Sequence, residues 1–373
     1  MNKMKIVEML MVPILLIILA ACGSEANNDD TGGQATTENG GKQSDELETI
    51  SVALSPFQDV YSIHVGIEQG FFEEEGIELE IQETDWAGGN DLLVGEQVDV
   101  ATAGDSDVVL QNSNGVETTL AFPIFYFAGA GLMYDDDRYD WQTYDQFLEE
   151  GLDQEEAMRE TLEQVKGMRI GLNTSVSEYT SFISMLDYVG LESDDYEIID
   201  MSQEDLPPAL LSESIDVMIS GIPQRLAVQK EGYATLIDQT TLPYTISHNG
   251  FAAHQSWVEN NHDLSLRFLQ AIFKTFHYIE ENPNEAFPII VERMKDVGTE
   301  ITVEELKDVW NNMEYFPSSK EFYQNEVLDE NGDFYWRDRF ERVVGIMEAE
   351  GRVEEGSITN LESLHYTVEL LSE

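Results

Sequence analysis

Residues 50–80, ISVALSPFQDVYSIHVGIEQGFFEEEGIELE, decide the fold. The run 50–54 reads as a strand that ends at the polar loop Ser55-Pro56-Phe57-Gln58. Residues 60–69 follow with helical spacing, and Gly70 can end that helix because glycine takes a positive φ without steric cost. Phe71 and Phe72 are then placed to fill the gap between helix and sheet. Acids and Gly76 lead into a second strand at 77–82. Strand, helix, strand in this order argues for an open sheet with crossover helices.

The alternation continues outward. Residues 90–95 read as a short helix, 98–103 as a strand, 107–112 as a helix, and 119–127 and 129–134 as extended chain leaving a first lobe. Residues 135–165 form a strongly acidic, mostly helical insertion closed by Lys166-Gly167. A second α/β series follows, with strands at 168–172, 196–199, 215–220 and 234–237 and helices at 177–189, 206–212 and 224–231. Residues 246–253 read as the returning segment. Beyond them the period is helical, with Leu264, Phe268, Ile272, Phe276 and Ile279 on one face and Pro283 marking the end. The expected division is a first lobe of 49–127 plus 246–373 and a second lobe of 128–245.

Of 373 residues, 74 are Asp or Glu and 19 are Lys or Arg, a formal net charge of −55. Such a charge repels phosphate backbones and anionic headgroups, which argues against nucleic-acid binding. The acids lie among regularly spaced aromatic and aliphatic residues, so they read as the coat of a folded protein suited to saline or alkaline surroundings. Arg225 and Lys230, the bases near the second-lobe loops, are expected to face solvent.

The single cysteine, Cys22, excludes an intrachain disulfide and a cysteine-based zinc cluster. It follows a basic start (Lys3, Lys5), an apolar run at 9–21 and the small residues Ala20 and Ala21. That run is shorter than the roughly 20 residues a membrane-spanning helix requires. Leu19-Ala20-Ala21-Cys22 resembles a bacterial lipobox, which implies a signal peptide at 1–21, cleavage before Cys22 and a lipid on its thiol. Residues 22–48, rich in Gly, Asn, Thr and acids, read as a flexible tether.

The segment 50–80, with Gly70-Phe71-Phe72 and Glu75-Gly76-Ile77, resembles the opening of the solute-binding proteins related to nitrate, sulfonate, taurine and thiamine-precursor transporters (NMT1/SsuA-like). Four later stretches keep the register: Gly95-Glu96-Gln97-Val98-Asp99, Lys166-Gly167-Met168-Arg169-Ile170-Gly171, Ser214-Ile215-Asp216-Val217 with serine where glycine is usual, and the helix before Pro283-Asn284-Glu285-Ala286. The resemblance implies an α/β, two-lobed periplasmic-binding-protein-like fold (type II): two open α/β sheets joined by two hinge strands, C-terminal helices packed on the first lobe, and a ligand held in the cleft. It further implies a monomer on the outer face of the membrane that delivers a small molecule to an ABC permease, with no cofactor.

In open α/β sheets ligands bind beyond the carboxyl ends of the strands, where helix N-termini offer N–H donors. The first-lobe candidates are therefore Ser55, Phe57 and Gln58, then Trp86, Gly89 and Asn90, then Gly104, Asp105 and Ser106. In the second lobe they are Thr174, Ser175 and Ser177, with Gly221 and Ile222, while Tyr126 and His248 lie near the crossings. Asp105, Ser175 and Ser177 serve equally well as helix N-caps, and Phe57 and Trp86 as lobe packing. The remaining histidines show no metal-ligand spacing, so no metal site is expected.

Two rival readings remain. One is an enzyme resembling the thiamine-pyrimidine synthases on the same scaffold, disfavoured because those carry a cysteine-rich motif and this chain has Cys22 alone; the other is a surface lipoprotein with an unused cleft. The ligand stays open between a sulfonate- or nitrate-like anion and a thiamine-precursor-like heterocycle.

Overall fold

The computed structural model describes residues 47–191, 195–241 and 245–372. Cys22, the segment 1–21 and nearly all of the tether lie outside them.

The chain runs β1 (Glu48–Leu54), α1 (Ile63–Gln69), β2 (Ile77–Glu83), α2 (Trp86–Val94), β3 (Val100–Gly104), α3 (Asp105–Ser113) and β4 (Thr118–Phe127). Next come β5 (Gly131–Tyr134), α4 (Tyr144–Glu149), α5 (Gln154–Glu163), β6 (Arg169–Leu172), α6 (Ser177–Val189), β7 (Glu197–Asp200), α7 (Leu206–Leu211), β8 (Val217–Ser220), α8 (Gln224–Lys230) and β9 (Ala234–Asp238). After β10 (Ser247–His254) the main elements are α9 (His262–Glu281), α10 (Pro283–Asp296), α11 (Val303–Asn312), the short β11 (Glu314–Tyr315) and α12 (Trp336–Ala349).

These strands build two sheets, ordered β11-β4-β10-β3-β1-β2 and β7-β6-β8-β5-β9. Strands joined by a helical crossover pair in parallel, β1 with β2 and β3, β6 with β7 and β8. The strands that carry the chain between sheets pair antiparallel: β10 with β3 and β4, β5 with β8 and β9. The chain thus crosses twice, from β4 to β5 and from β9 to β10. Gly70 ends α1 at φ 79°, the left-handed position that favours glycine. Phe72 packs tilted against Phe268 of α9, 5.6 Å between centroids, in the first lobe's core.

Gln239 ties the two crossings together. Its backbone N–H donates to the Ala130 carbonyl at 2.8 Å, its side-chain oxygen accepts from Ala130 N–H at 3.2 Å, and its amide nitrogen donates to Ser181 Oγ at 2.9 Å and to the Thr245 carbonyl. Gln239→Leu keeps the volume but leaves a buried N–H without its acceptor, and is expected to destabilise by about 1–3 kcal/mol in urea unfolding. A wild-type midpoint in that variant would remove Gln239 from this role.

Several elements differ from expectation. α2 begins at Trp86 rather than residue 90, because Asp85 accepts from Gly88 N–H at 2.7 Å and caps the helix ahead of its two glycines. α3 begins at Asp105, not 107. The acidic insertion is helical only at α4 and α5; before them Tyr139 and Trp141 stack with centroids 4.4 Å apart.

Arg225 does not face solvent. It is 4% exposed and binds Asp238 at 2.7 Å and the Gly129 carbonyl at 3.1 Å, bracing the first crossing against β9. The C-terminal helices pack on the first lobe's core, and α12 reaches further: Phe340 and Val343 belong to that core while Ile346 joins the second lobe's.

Candidate ligand-binding cleft

Loops beyond β1, β6 and β8, together with α2, the β4 rim and β10, surround one cavity, lined by Phe57, Asp59, Trp86, Phe125, Phe127, Val176, Glu178, Gln203, Gly221, Ile222, Gln224 and Asn249. Both halves supply walls. The free space is about 30 Å³, room for a water molecule or two. A larger solute therefore needs the walls to move.

Of the sequence candidates, Phe57, Trp86, Gly221 and Ile222 meet here. The Phe57 and Trp86 rings stand edge to face, 5.6 Å apart. Trp86 is the first residue of a helix rather than part of a loop, and its Nε1 donates to Asp107 Oδ2 at 2.9 Å. The same oxygen accepts from Gly104 N–H at 2.8 Å, so one carboxyl fixes both the indole and the end of β3. Gly221 is required by closeness: a Cβ there would lie 2.6 Å from Phe127 Cζ. Gly104 is equally confined, since a Cβ would come 2.6 Å from Ser177 Oγ across the lobes. Gly89 lies within α2 on its face towards β1, where a Cβ would lie 3.2 Å from Thr84 Cγ2 and 3.6 Å from Ala53 Cβ. Asn90 is committed to α2, β3 and α3, donating to the Trp86 carbonyl at 2.9 Å and the Thr102 carbonyl at 3.3 Å and accepting from Gln111 at 2.7 Å.

Asp105, Ser106, Ser177 and His248 come together in a buried knot behind the cavity. Asp105 accepts from Arg339 Nε at 2.7 Å and Nη2 at 3.2 Å, from Ser177 Oγ at 3.0 Å, from Ser106 Oγ at 3.1 Å and from His248 N–H at 2.9 Å. Burial pushes its pKa up, but the Arg339 guanidinium and, after it, His248 together outweigh burial and hold the carboxyl below its ordinary range. Neither Asp105 nor Ser177 is an N-cap; each is the first helical residue, behind Gly104 and Val176.

Strand parity separates the remaining candidates. Phe125 and Phe127 of β4 point into the cavity, so Tyr126 points to the other face, stacked on Phe334 with centroids 4.9 Å apart. His248 shares that face, edge to face with Tyr126 at 4.8 Å, which leaves Asn249 to line the cavity. Thr174 and Ser175 are not among the lining residues; Thr174 N–H donates to Asp200 and Ser175 is exposed. Ser55 and Gln58 are fully buried beside Asp59.

Sequence reasoning missed the acids. Burial pushes Asp59, Asp107 and Glu178 each up to about 7, and the charges of neighbouring carboxyls add to it. Glu178 comes from the second lobe, Asp59 and Asp107 from the first. Glu314 of β11, beside Asp59 and bonded by Gln58 Nε2 at 2.7 Å, is held well above its ordinary value by burial and by Asp59. Glu178, an acid in the first turn of a helix, had only the bland signal of a favourable dipole. Arg339, 234 residues from Asp105, had none.

Two crossings, two sheets and a cavity walled from both define a periplasmic-binding-protein fold. The aliphatic sulphonate binding protein SsuA of Escherichia coli shares it, with TM-score 0.62 at 11% identity over 83% of this chain and 94% of that one. The family described as NMT1-like matches residues 43–293, and the chain belongs to it. A Bacillus subtilis (strain 168) protein carrying the name of binding protein YtlA is 24% identical over 275 residues, covering 68% of this chain and 72% of that protein. A Haemophilus influenzae protein named for thiamine biosynthesis is 25% identical over 252 residues, covering 65% of this chain and 73% of that one.

Proposed function

We propose that this chain is the extracytoplasmic solute-binding lipoprotein of an ABC importer, anchored through Cys22, which captures a small molecule between its lobes and delivers it unchanged to the permease. The observation that carries this reading is the cavity whose walls come from both halves and whose space is too small for a solute until they part. Membership of the NMT1-like family and the shared fold of SsuA support it. On this reading residues 128–245 move as one body against 49–127 and 246–373, and the solute favours the closed state by touching both.

Small-angle scattering checks the motion. With a panel of sulfonates, nitrate, bicarbonate, pyrimidines and flavins, the binding member is expected to lower the radius of gyration and to be recovered chemically intact. Conversion of that member would make the chain an enzyme, and a panel without any response would leave the surface-lipoprotein reading standing.

A further inference from the structure

Resting on that capture reading, we propose that the cargo is a small organic cation whose charge and N–H groups bridge Glu178 of the second lobe to Asp59 of the first, against the rings of Phe57 and Trp86.

The composition of the cavity wall points this way. Two carboxyls, Asp59 and Glu178, line it, and Asp107 holds the Trp86 indole at its edge. No lysine or arginine is among the lining residues. Arg339, the cation behind Asp105, gives Nε and Nη2 to that carboxyl and Nη2 to Thr180 Oγ1 at 2.9 Å; its Nη1 has no hydrogen-bond partner, but Arg339 is not among the lining residues. A sulfonate or nitrate would bring negative charge against these acids without a counter-charge, in surroundings that screen poorly.

Unpartnered acceptors beside the acids are a second, independent sign. Gln224 Oε1 on the wall has no hydrogen-bond partner, and neither has Gln58 Oε1, 0% exposed next to Asp59 though not itself among the lining residues. Ammonium, amidinium or protonated ring nitrogens supply the donors these acceptors lack. The edge-to-face pair of Phe57 and Trp86 offers π density suited to a cation.

Closure without cargo sets like charges from the two lobes against one another. Of the charged and titratable groups around the cleft, Asp59 and Glu178 line it; packed about them are Glu314 of β11, Asp105 and Asp107 of α3, Arg339 of α12 and the buried His248 of β10. Burial raises Asp59, Asp107 and Glu178 to about 7, so near neutral pH these carboxyls carry protons much of the time. A cation that binds Asp59 and Glu178 sends those protons to solvent: one positive charge enters as each proton leaves. Affinity for a cation then rises with pH, up to about tenfold per unit per proton released, and levels off above about pH 7.

Isothermal titration calorimetry of the full chain with four matched probes tests this: benzamidinium, benzamide, benzoate and benzenesulfonate. Benzamidinium is expected to bind at least tenfold tighter than benzamide and the two anions. At pH 6.5, buffers of different ionisation enthalpy are expected to report about one proton released. Glu178→Gln should weaken benzamidinium tenfold or more and lower the proton count, with folded content unchanged.

Tighter binding of either anion, equal binding of benzamide, or a benzamidinium affinity constant from pH 5.5 to 8 would overturn the cationic cargo and leave capture intact. If all four probes are silent while an anion from the scattering panel closes the lobes, the charge assignment falls alone. If both panels are silent, capture falls with it.

Discussion

Arg339→Met is expected to remove about 3–5 kcal/mol of stability at pH 7, because it leaves the Asp105 carboxylate in a fully buried site without its counter-charge. In the native chain the Arg339 guanidinium, with His248, offsets burial and keeps Asp105 below its ordinary range. That pair therefore contributes stability which is present above the unfolded carboxyl's pKa and lost only in strong acid. In the variant the sign reverses: burial alone raises Asp105, and acid relieves the penalty by protonating it. The difference between the two proteins should accordingly be largest at neutral pH and shrink towards pH 4, measured by urea unfolding across that range. Adding Asp105→Asn should restore much of the loss, since a neutral amide needs no guanidinium. A pH-independent deficit, unrelieved by the second substitution, would mean that Arg339 matters for its packing and not for its charge.

The opposite sign is expected for Asp59→Asn combined with Glu178→Gln. Both carboxyls are raised to about 7, with burial the first cause, so the folded chain holds protons that the unfolded chain releases near pH 4. Stability from these groups is thus highest in acid, falls as pH rises towards 7, and is flat above. At 1.36 kcal/mol per pKa unit, and with relief when the lobes open, the double variant should be about 3–6 kcal/mol more stable than the native chain at pH 8. By pH 5 the difference should shrink to about a third, and it vanishes only below the unfolded carboxyl range near pH 4. His64, His248 and His365, all lowered to about 3 or 4 by burial, oppose this trend below pH 6.5 but act alike in both proteins and cancel in the difference. Thermal melting at the two pH values checks it, and a double variant less stable at pH 8 would show that these carboxylates are satisfied by contacts that amides cannot make.

What was legible in the sequence was set by local rules. Gly70-Phe71-Phe72, the apolar period of α9 and the acid-bounded strands needed only neighbours within a few residues, and Leu264, Phe268, Ile272, Phe276 and Ile279 are all buried. Helix starts were less legible, because Asp85 outweighed the glycines that follow it. The cleft was half legible. Strand-end loops brought Phe57, Trp86, Gly221 and Ile222 to the cavity, but the choice between Tyr126 and Phe125, or His248 and Asn249, turns on a parity of one residue. Asp59, Asp107, Glu178 and Glu314 looked like four of 74 acids until the fold buried them together.

Helix α12 is bolted to one half by Phe340 and Val343 and laced to the other through Arg339 on Thr180 and through Glu350, just past its end, on Tyr179. A clasp of this kind spans the seam. On the capture reading, parting the halves takes more than bending the crossings, because these polar ties and the Ser106–Thr180 contact at 3.3 Å beside them also join the two sides. How long a bound molecule stays then depends, on that reading, on parting the seam as well as on the cavity's own grip.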